Sequence, residues 1–144
     1  MDATSRKIQP YLFFEGRCEE ALEFYRKALS AEIENVMRFK ESPDQKNIPP
    51  GSGEKIMHCT FRIGESHLMA SDGKSQGPAK FQGFSLSLTA ADPADAERLF
   101  KALSEGGQVQ MPLTETFFSP RFGMVADRFG VSWMIVTMPD GAKN

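Results

Sequence analysis

The stretch GFSLSLTAADPADAERLFKALSEGGQVQ, residues 83–110, carries the punctuation of a complete strand, helix and strand. Asp92 is suited to an N-cap, Pro93 fits the first helical position, and Asp95 puts negative charge in the first turn. Gly106 and Gly107 follow the last periodic residue, and Ala96, Leu99, Phe100 and Leu103 form an apolar face at helical spacing. The tetrapeptide KALS at Lys101 to Ser104 also stands at Lys27 to Ser30, half a chain length earlier. There it ends a second amphipathic stretch that begins at Cys18, with Ala21, Leu22, Tyr25, Ala28 and Leu29 on one face and Glu19 and Glu20 in the first turn.

Each copy has the same surroundings. IQPYLFF, residues 8–14, is apolar and aromatic, stops at Gly16, and reads as a buried strand before the first helix. EIENVMRF, KIMHCTFRI and SHLMAS follow it as three strands, the last two joined through Gly64 and Glu65. ESPDQKNIPPGSG is too rich in proline and glycine for regular structure, so residues 40–53 are expected to form a long loop. At the other end FGMVADRFGVSWMIV, residues 122–136, reads as two strands joined by a turn at Asp127 and Gly130. Trp133 and Ile135 alternate there with Ser132 and Met134, which places the tryptophan on a helix-covered face as a structural residue. A shared order of elements around a shared word marks an internal duplication. The expected class is α+β, with two tandem βαβββ modules at residues 5–72 and 80–139 inside one domain of residues 1–144.

A chain of 144 residues is long enough for one domain that buries roughly two thirds of its unfolded surface. Lys and Arg total 17 against 19 Asp and Glu, a net charge of -2, which provides no electrostatic footprint for nucleic acid or anionic membrane. Neither is an expected partner. MDATSRKIQPYLFF lacks the apolar run of a signal peptide, and no stretch approaches the roughly 20 apolar residues that span a bilayer. A soluble cytoplasmic protein is expected. Cys18 and Cys59 read as reduced thiols with no paired framework around them.

In PYLFFEGRCEEALEFYRKALSAE, IMHCTFRIGESHLMASD, FSLSLTAADPADAERLFKALSEGG and FGMVADRFGVSWMI, over nearly its whole length, the chain resembles the vicinal oxygen chelate superfamily. That superfamily includes glyoxalases, extradiol dioxygenases and bleomycin- and fosfomycin-resistance proteins, and the nearer likeness is to its PhnB-like branch. The resemblance implies the glyoxalase/bleomycin resistance/dihydroxybiphenyl dioxygenase-like fold, in which mixed sheets curve round a cup, and pairing into a homodimer. Metal-dependent relatives draw His, Gln or Glu ligands from the first and fourth strands of each module. Those places fall here at about Pro10, Met69, Gly83 and Met134, which supply no hard donor, and a slip of one residue assembles no site either. No metal and no other cofactor is therefore expected, although the resemblance allows a divalent ion. The branch also carries a 3-demethylubiquinone-9 3-methyltransferase heading. A Rossmann-type methyltransferase would need a glycine-rich turn after its first strand, where this chain has FEGRCEE with one glycine.

Strand parity selects the candidate binding residues. If Met57, Cys59, Phe61 and Ile63 face the helix, then His58, Thr60 and Arg62 project into the cup, joined by His67, Met69 and Ser71 from the next strand. Leu12, Phe14 and Met134 are expected to complete its apolar wall. Most strand histidines are simply hydrogen-bonded or partly solvated. The sharper reading has both imidazoles meet in one cavity as a base or a ligand anchor, with Arg62 as an anion clamp. A two-histidine metal site would have only Asp72 close in sequence as a carboxylate partner. Cys18 is simplest as a small helix residue, Glu19, Glu20 and Glu23 as a solvated face, and Arg121 as half of a rim salt bridge. Phe117 and Phe118 suit a pocket lid or a dimer contact. Two functions stand: a dimeric cup that binds a small, partly apolar molecule, and an enzyme of lyase, isomerase or dioxygenase type using unrecognised ligands or acid-base catalysis on His58 or His67. The missing hard donors favour the first, and no catalytic residue is assigned.

Overall fold

The structure is a computed structural model that describes residues 3–75 and 77–139. Two compact units are present, Met1–Pro78 and Ala79–Asn144.

The first unit runs β1 (Tyr11–Phe13), α1 (Cys18–Leu29), β2 (Glu32–Arg38), β3 (Ile56–Ile63) and β4 (Ser66–Ser71). Its sheet has the order β1-β4-β3-β2, with β1 parallel to β4 and the other pairs antiparallel. Ala21, Leu22, Tyr25, Ala28 and Leu29 bury the helix face that their spacing defines. Tyr25 packs on Phe14 and Phe61, with ring centroids 6.1 and 6.0 Å apart. On β3, Cys59, Phe61 and Ile63 are buried beneath α1, which turns His58, Thr60 and Arg62 to the opposite face. The serine of the first KALS ends α1 in the left-handed region, at φ 55, and donates its N–H to the Tyr25 carbonyl.

The start of α1 is held from outside the helix. Arg17, at the N-cap position, makes no side-chain capping bond. Asp72, just beyond β4 and 1% exposed, accepts from the backbone N–H groups of Cys18 and Ile56, each at 2.7 Å. One buried carboxylate thus joins the first turn of α1 to the start of β3. The segment expected to be a plain loop contains short 3-10 turns at Phe39–Glu41 and Gln45–Asn47. Side chains stabilise them locally: Glu41 accepts from the Arg38 N–H at 2.8 Å and Asp44 from that of Lys46 at 3.2 Å.

The second unit repeats the plan as β5 (Leu86–Ala90), α2 (Pro93–Ser104), β6 (Gln108–Thr114), β7 (Phe122–Ala126) and β8 (Ser132–Thr137), in the order β5-β8-β7-β6. The α+β class and the doubled βαβββ plan are both present. Asp92 caps α2 by accepting from Asp95 N at 2.7 Å, and Ala96, Leu99 and Leu103 are buried beneath it. Trp133 is 3% exposed on the helix-covered face, and its indole N–H donates to Asp127 Oδ2 at 2.9 Å. Its role is structural. Among the described residues, no helix is long and apolar enough to cross a membrane.

A glycine of the α2–β6 connection is required by close approach. A Cβ on Gly107 would lie 2.1 Å from the Ala126 carbonyl oxygen, a backbone atom that cannot rotate away. Gly107→Ala is expected to destabilise the protein by about 1–3 kcal/mol through this overpacking. A urea titration checks it: the midpoint falls while the slope is kept, and an unchanged midpoint would show that β6 shifts freely.

Candidate functional site

The site is built on the face of the first sheet that points away from α1. Residues in register across neighbouring strands share a face, so the pairing of Tyr11 with Met69 and of Thr60 with Met69 places Tyr11, Met69 and Thr60 in one row. Phe13 pairs with Ser71, and Met37 pairs with His58. Arg62 pairs with His67 on one side and Glu32 on the other. His58, Thr60, Arg62, His67, Met69 and Ser71 therefore lie on one face, as parity predicts.

Leu12 and Phe14 do not. They are 2% and 1% exposed, packed in the core under α1, and the expectation that they line a cup is wrong. The reason is register: Leu12 pairs with Ala70, which is itself buried on the helix side. The neighbours that alternate with them, Tyr11 at 38% and Phe13 at 51% exposure, are the aromatics of the open face. Sequence reading missed both, because Pro10, Tyr11, Leu12, Phe13 and Phe14 are apolar or aromatic in both phases and show no alternation to read. Met134 belongs to the second unit, half-buried on the face of β8 opposite Trp133.

Tyr11 organises the site. Its hydroxyl lies 2.9 Å from His58 Nδ1, and its ring stacks on Phe13 at 5.0 Å and tilts against His58 at 5.6 Å. Burial pushes the Tyr11 phenol above its usual range, helped by the Cys59 and Cys18 thiols, so it stays protonated. The bond runs in either direction, the phenol donating to Nδ1 or Nδ1–H donating to the phenol oxygen, and each direction goes with one imidazole tautomer. His67 is engaged elsewhere, with Nδ1 3.0 Å from Glu34 Oε1. Four positions of β3 separate His58 from Arg62, the cross-strand partner of His67, a step of about 13 Å along the strand. The imidazoles share a face and do not meet in one cavity.

Three further candidates are already committed. Arg62 bonds to Glu32 across the sheet and donates to the Gly64 carbonyl at 2.9 Å, so its charge is balanced where a clamp would need it open. The Ser71 hydroxyl is buried and accepts from Gly73 N at 2.9 Å. Asp72, considered as a carboxylate partner for two histidines, spends both oxygens on the Cys18 and Ile56 backbone. Pro10, Met69, Gly83 and Met134 do not fit a divalent ion, since thioether and aliphatic groups offer it no hard lone pair. Among the described residues, no three His, Cys, Asp or Glu side chains form a group able to hold a metal ion.

The second unit has its own open face. Met111, Met124 and Met134 form a cross-strand row with Ser87 beside it. Ser132 Oγ donates to Gln110 Oε1 at 2.7 Å and lies 2.7 Å from Ser85 Oγ. Adaptable thioethers beside a short line of hydroxyl and amide groups suit an apolar surface with a polar edge. Arg121 bonds to Glu97 at 3.4 Å, the rim salt bridge expected of it. Phe117 is fully exposed, while Phe118 packs edge-on against Phe122 at 5.1 Å. A separate cavity of about 260 Å³ lies in the first unit between α1 and β2, lined by Leu22, Ile33, Val36 and Ile56 under the Glu19–Arg38 ion pair.

Residues 6–136 match the family model described as 3-demethylubiquinone-9 3-methyltransferase. Protein YjdN of Escherichia coli K12 is 36% identical over 136 residues, covering 89% of this chain and 92% of that protein. Among solved structures, PA1353 from Pseudomonas aeruginosa is 44% identical with a TM-score of 0.83, covering 94% of this chain and all of that one. A PhnB protein from Bacillus cereus is 30% identical with a TM-score of 0.76, covering 92% of this chain and 99% of its own. At 13% identity and a TM-score of 0.61, the fosfomycin resistance protein FosX of Mesorhizobium loti shares the fold alone, over 94% of each chain.

Proposed function

The chain belongs to the 3-demethylubiquinone-9 3-methyltransferase family, the PhnB-like branch of the vicinal oxygen chelate fold, and from that premise we propose that it is a cytoplasmic homodimer that binds a small, partly apolar molecule without a bound metal. The observation that carries this reading is the open face of the first sheet, where Tyr11, Phe13, Met37 and Met69 surround the Tyr11–His58 hydrogen bond. Apolar walls with a few oriented polar groups are the composition of small-molecule sites. Dimerisation is supported by the edge strands. β6 is exposed almost throughout, with Val109 at 50% and Met111 at 43%, and β2 exposes Ile33 at 40%. Uncovered apolar edges are a liability that pairing removes. The methyltransferase heading has no support from a glycine-rich nucleotide turn.

A second reading, acid-base catalysis, is favoured by one feature: Tyr11 Oη lies 2.9 Å from His58 Nδ1, and the tautomer in which Nδ1–H donates to the phenol oxygen leaves Nε2 free to accept a proton. Both readings use the same residues. Native mass spectrometry of protein purified without chelator is expected to find paired chains carrying an organic molecule and no divalent ion. Single chains at micromolar concentration, or about one metal ion per chain, would overturn the proposal. Tyr11→Phe and His58→Ala are each expected to lower the occupancy of the co-purified molecule about tenfold, the effect of one lost hydrogen bond, with the melting temperature nearly unchanged. Equal occupancy in both variants would move the site elsewhere.

A further inference from the structure

Cys18 and Cys59 stand 41 residues apart in sequence, yet their sulfurs are 3.8 Å apart in the core of the first unit. Both are free, and both are 0% exposed. One opens α1 and the other lies midway along β3, so the contact joins the helix to the sheet beneath it. Nothing in the proposed binding face uses either thiol.

We propose that Cys18 and Cys59 form an intramolecular redox couple, a dithiol that hydrogen peroxide converts into a disulfide tying the first turn of α1 to β3. In the first step the Cys59 thiolate attacks one peroxide oxygen, the O–O bond breaks, and the departing hydroxide takes a proton to become water. Cys59 is left as a sulfenic acid. The Cys18 sulfur then attacks that sulfur as its own proton passes to the departing hydroxide, the S–O bond breaks, and the S–S bond forms with loss of a second water. Two thiols and one peroxide yield one disulfide and two waters, the two electrons passing from sulfur to oxygen.

The order of attack follows from the environment. The hydrogen bond from the Cys18 thiol lowers Cys59 against its burial, and the Ala70 backbone adds to this. Cys18 is pushed far up by its bond to Cys59, by burial and by the nearby negative charges of Asp72 and Glu19. A buried thiol is ordinarily inert because no oxidant reaches it. Here the first turn of α1 has no side-chain cap from Arg17 and is closed by the bond from Cys18 N to Asp72, so oxidant reaches the pair when that bond opens. A partial opening at that bond admits peroxide to Cys59 while the Cys18 thiol still donates to it. The resolving sulfur stays in contact, so the disulfide forms before further oxidation proceeds.

The test exposes the full chain to hydrogen peroxide, then unfolds it, alkylates with iodoacetamide and measures intact mass. The expected product has lost two hydrogens, takes up no alkyl group, runs as a single chain, and regains both thiols with dithiothreitol. Closing this loop in the unfolded chain is expected to raise the melting temperature by roughly 5–10 °C. Cys18→Ser, checked for folding by circular dichroism, is expected to accumulate oxygen adducts on Cys59 under the same treatment. Two alkylatable thiols after a peroxide dose that oxidises the unfolded chain would overturn the proposal. So would bonds formed only between chains, wild-type oxygen adducts matching those of Cys18→Ser, or a lowered melting temperature after bond formation.

Discussion

Asp72→Ala is expected to destabilise the protein by about 4 kcal/mol, a large share of the roughly 5–15 kcal/mol that holds a typical domain folded. The carboxylate is 1% exposed and accepts 2.7 Å bonds from Cys18 N and Ile56 N, one oxygen to each. Charge-assisted bonds of this kind contribute about 1.5–3 kcal/mol apiece, and alanine leaves both donors unpaired away from water. Asp72→Asn keeps one acceptor and turns an amide N–H toward the other donor, so a loss of about 2 kcal/mol is expected from it. Urea unfolding followed by circular dichroism measures both. An alanine variant within about 0.5 kcal/mol of the parent would mean that water replaces the carboxylate, and that the α1–β3 junction is far less enclosed than described.

Trp133→Ala is expected to cost about 3–5 kcal/mol, the range for deleting a large buried aromatic. The ring is 3% exposed and its N–H bonds to Asp127, whose other oxygen accepts from Phe129 N at 2.9 Å and Val131 N at 3.1 Å. The tryptophan and the β7–β8 turn therefore support each other through one buried carboxylate. Trp133→Phe separates the two contributions. It keeps most of the apolar area and removes the indole bond to Asp127 Oδ2, for an expected loss of about 1–3 kcal/mol. Because this is the only tryptophan in the chain, Asp127→Ala can be followed by its emission, which is expected to shift to the red as water enters. An unshifted emission with parent-like stability would show that the turn closes without Asp127.

The two carboxylates occupy comparable places, each beside the last pair of strands of its unit, and the sequence treats them differently. Asp127 sits in DRFG, where a turn aspartate bonding to the backbone a few residues on is a local pattern. Asp72 bonds to residues 54 and 16 positions away, and no local pattern announces that. The same contrast holds in the candidate site. His58, Thr60 and Arg62 were assignable to one face because β3 alternates with period two against a helix of known apolar stripe. Tyr11 and Phe13 were not, because a fully apolar strand has no phase of its own.

Local sequence specifies the two helices, the N-cap of α2, the order of elements within each unit, the duplication and the structural role of Trp133. Each of these rests on periodicity, capping or turn chemistry among residues close along the chain, where the physical preference is local and additive. Tertiary structure alone decided the face of β1, the Tyr11–His58 pair, the separate engagement of His67 with Glu34, and the contact between Cys18 and Cys59. The first three depend on the register of strands that are distant in sequence, and the last on how α1 seats on β3. That register is set by how Leu12, Phe14, Phe61 and Tyr25 fill one core, with packing over the whole first unit fixing which side of a uniformly apolar strand faces inward.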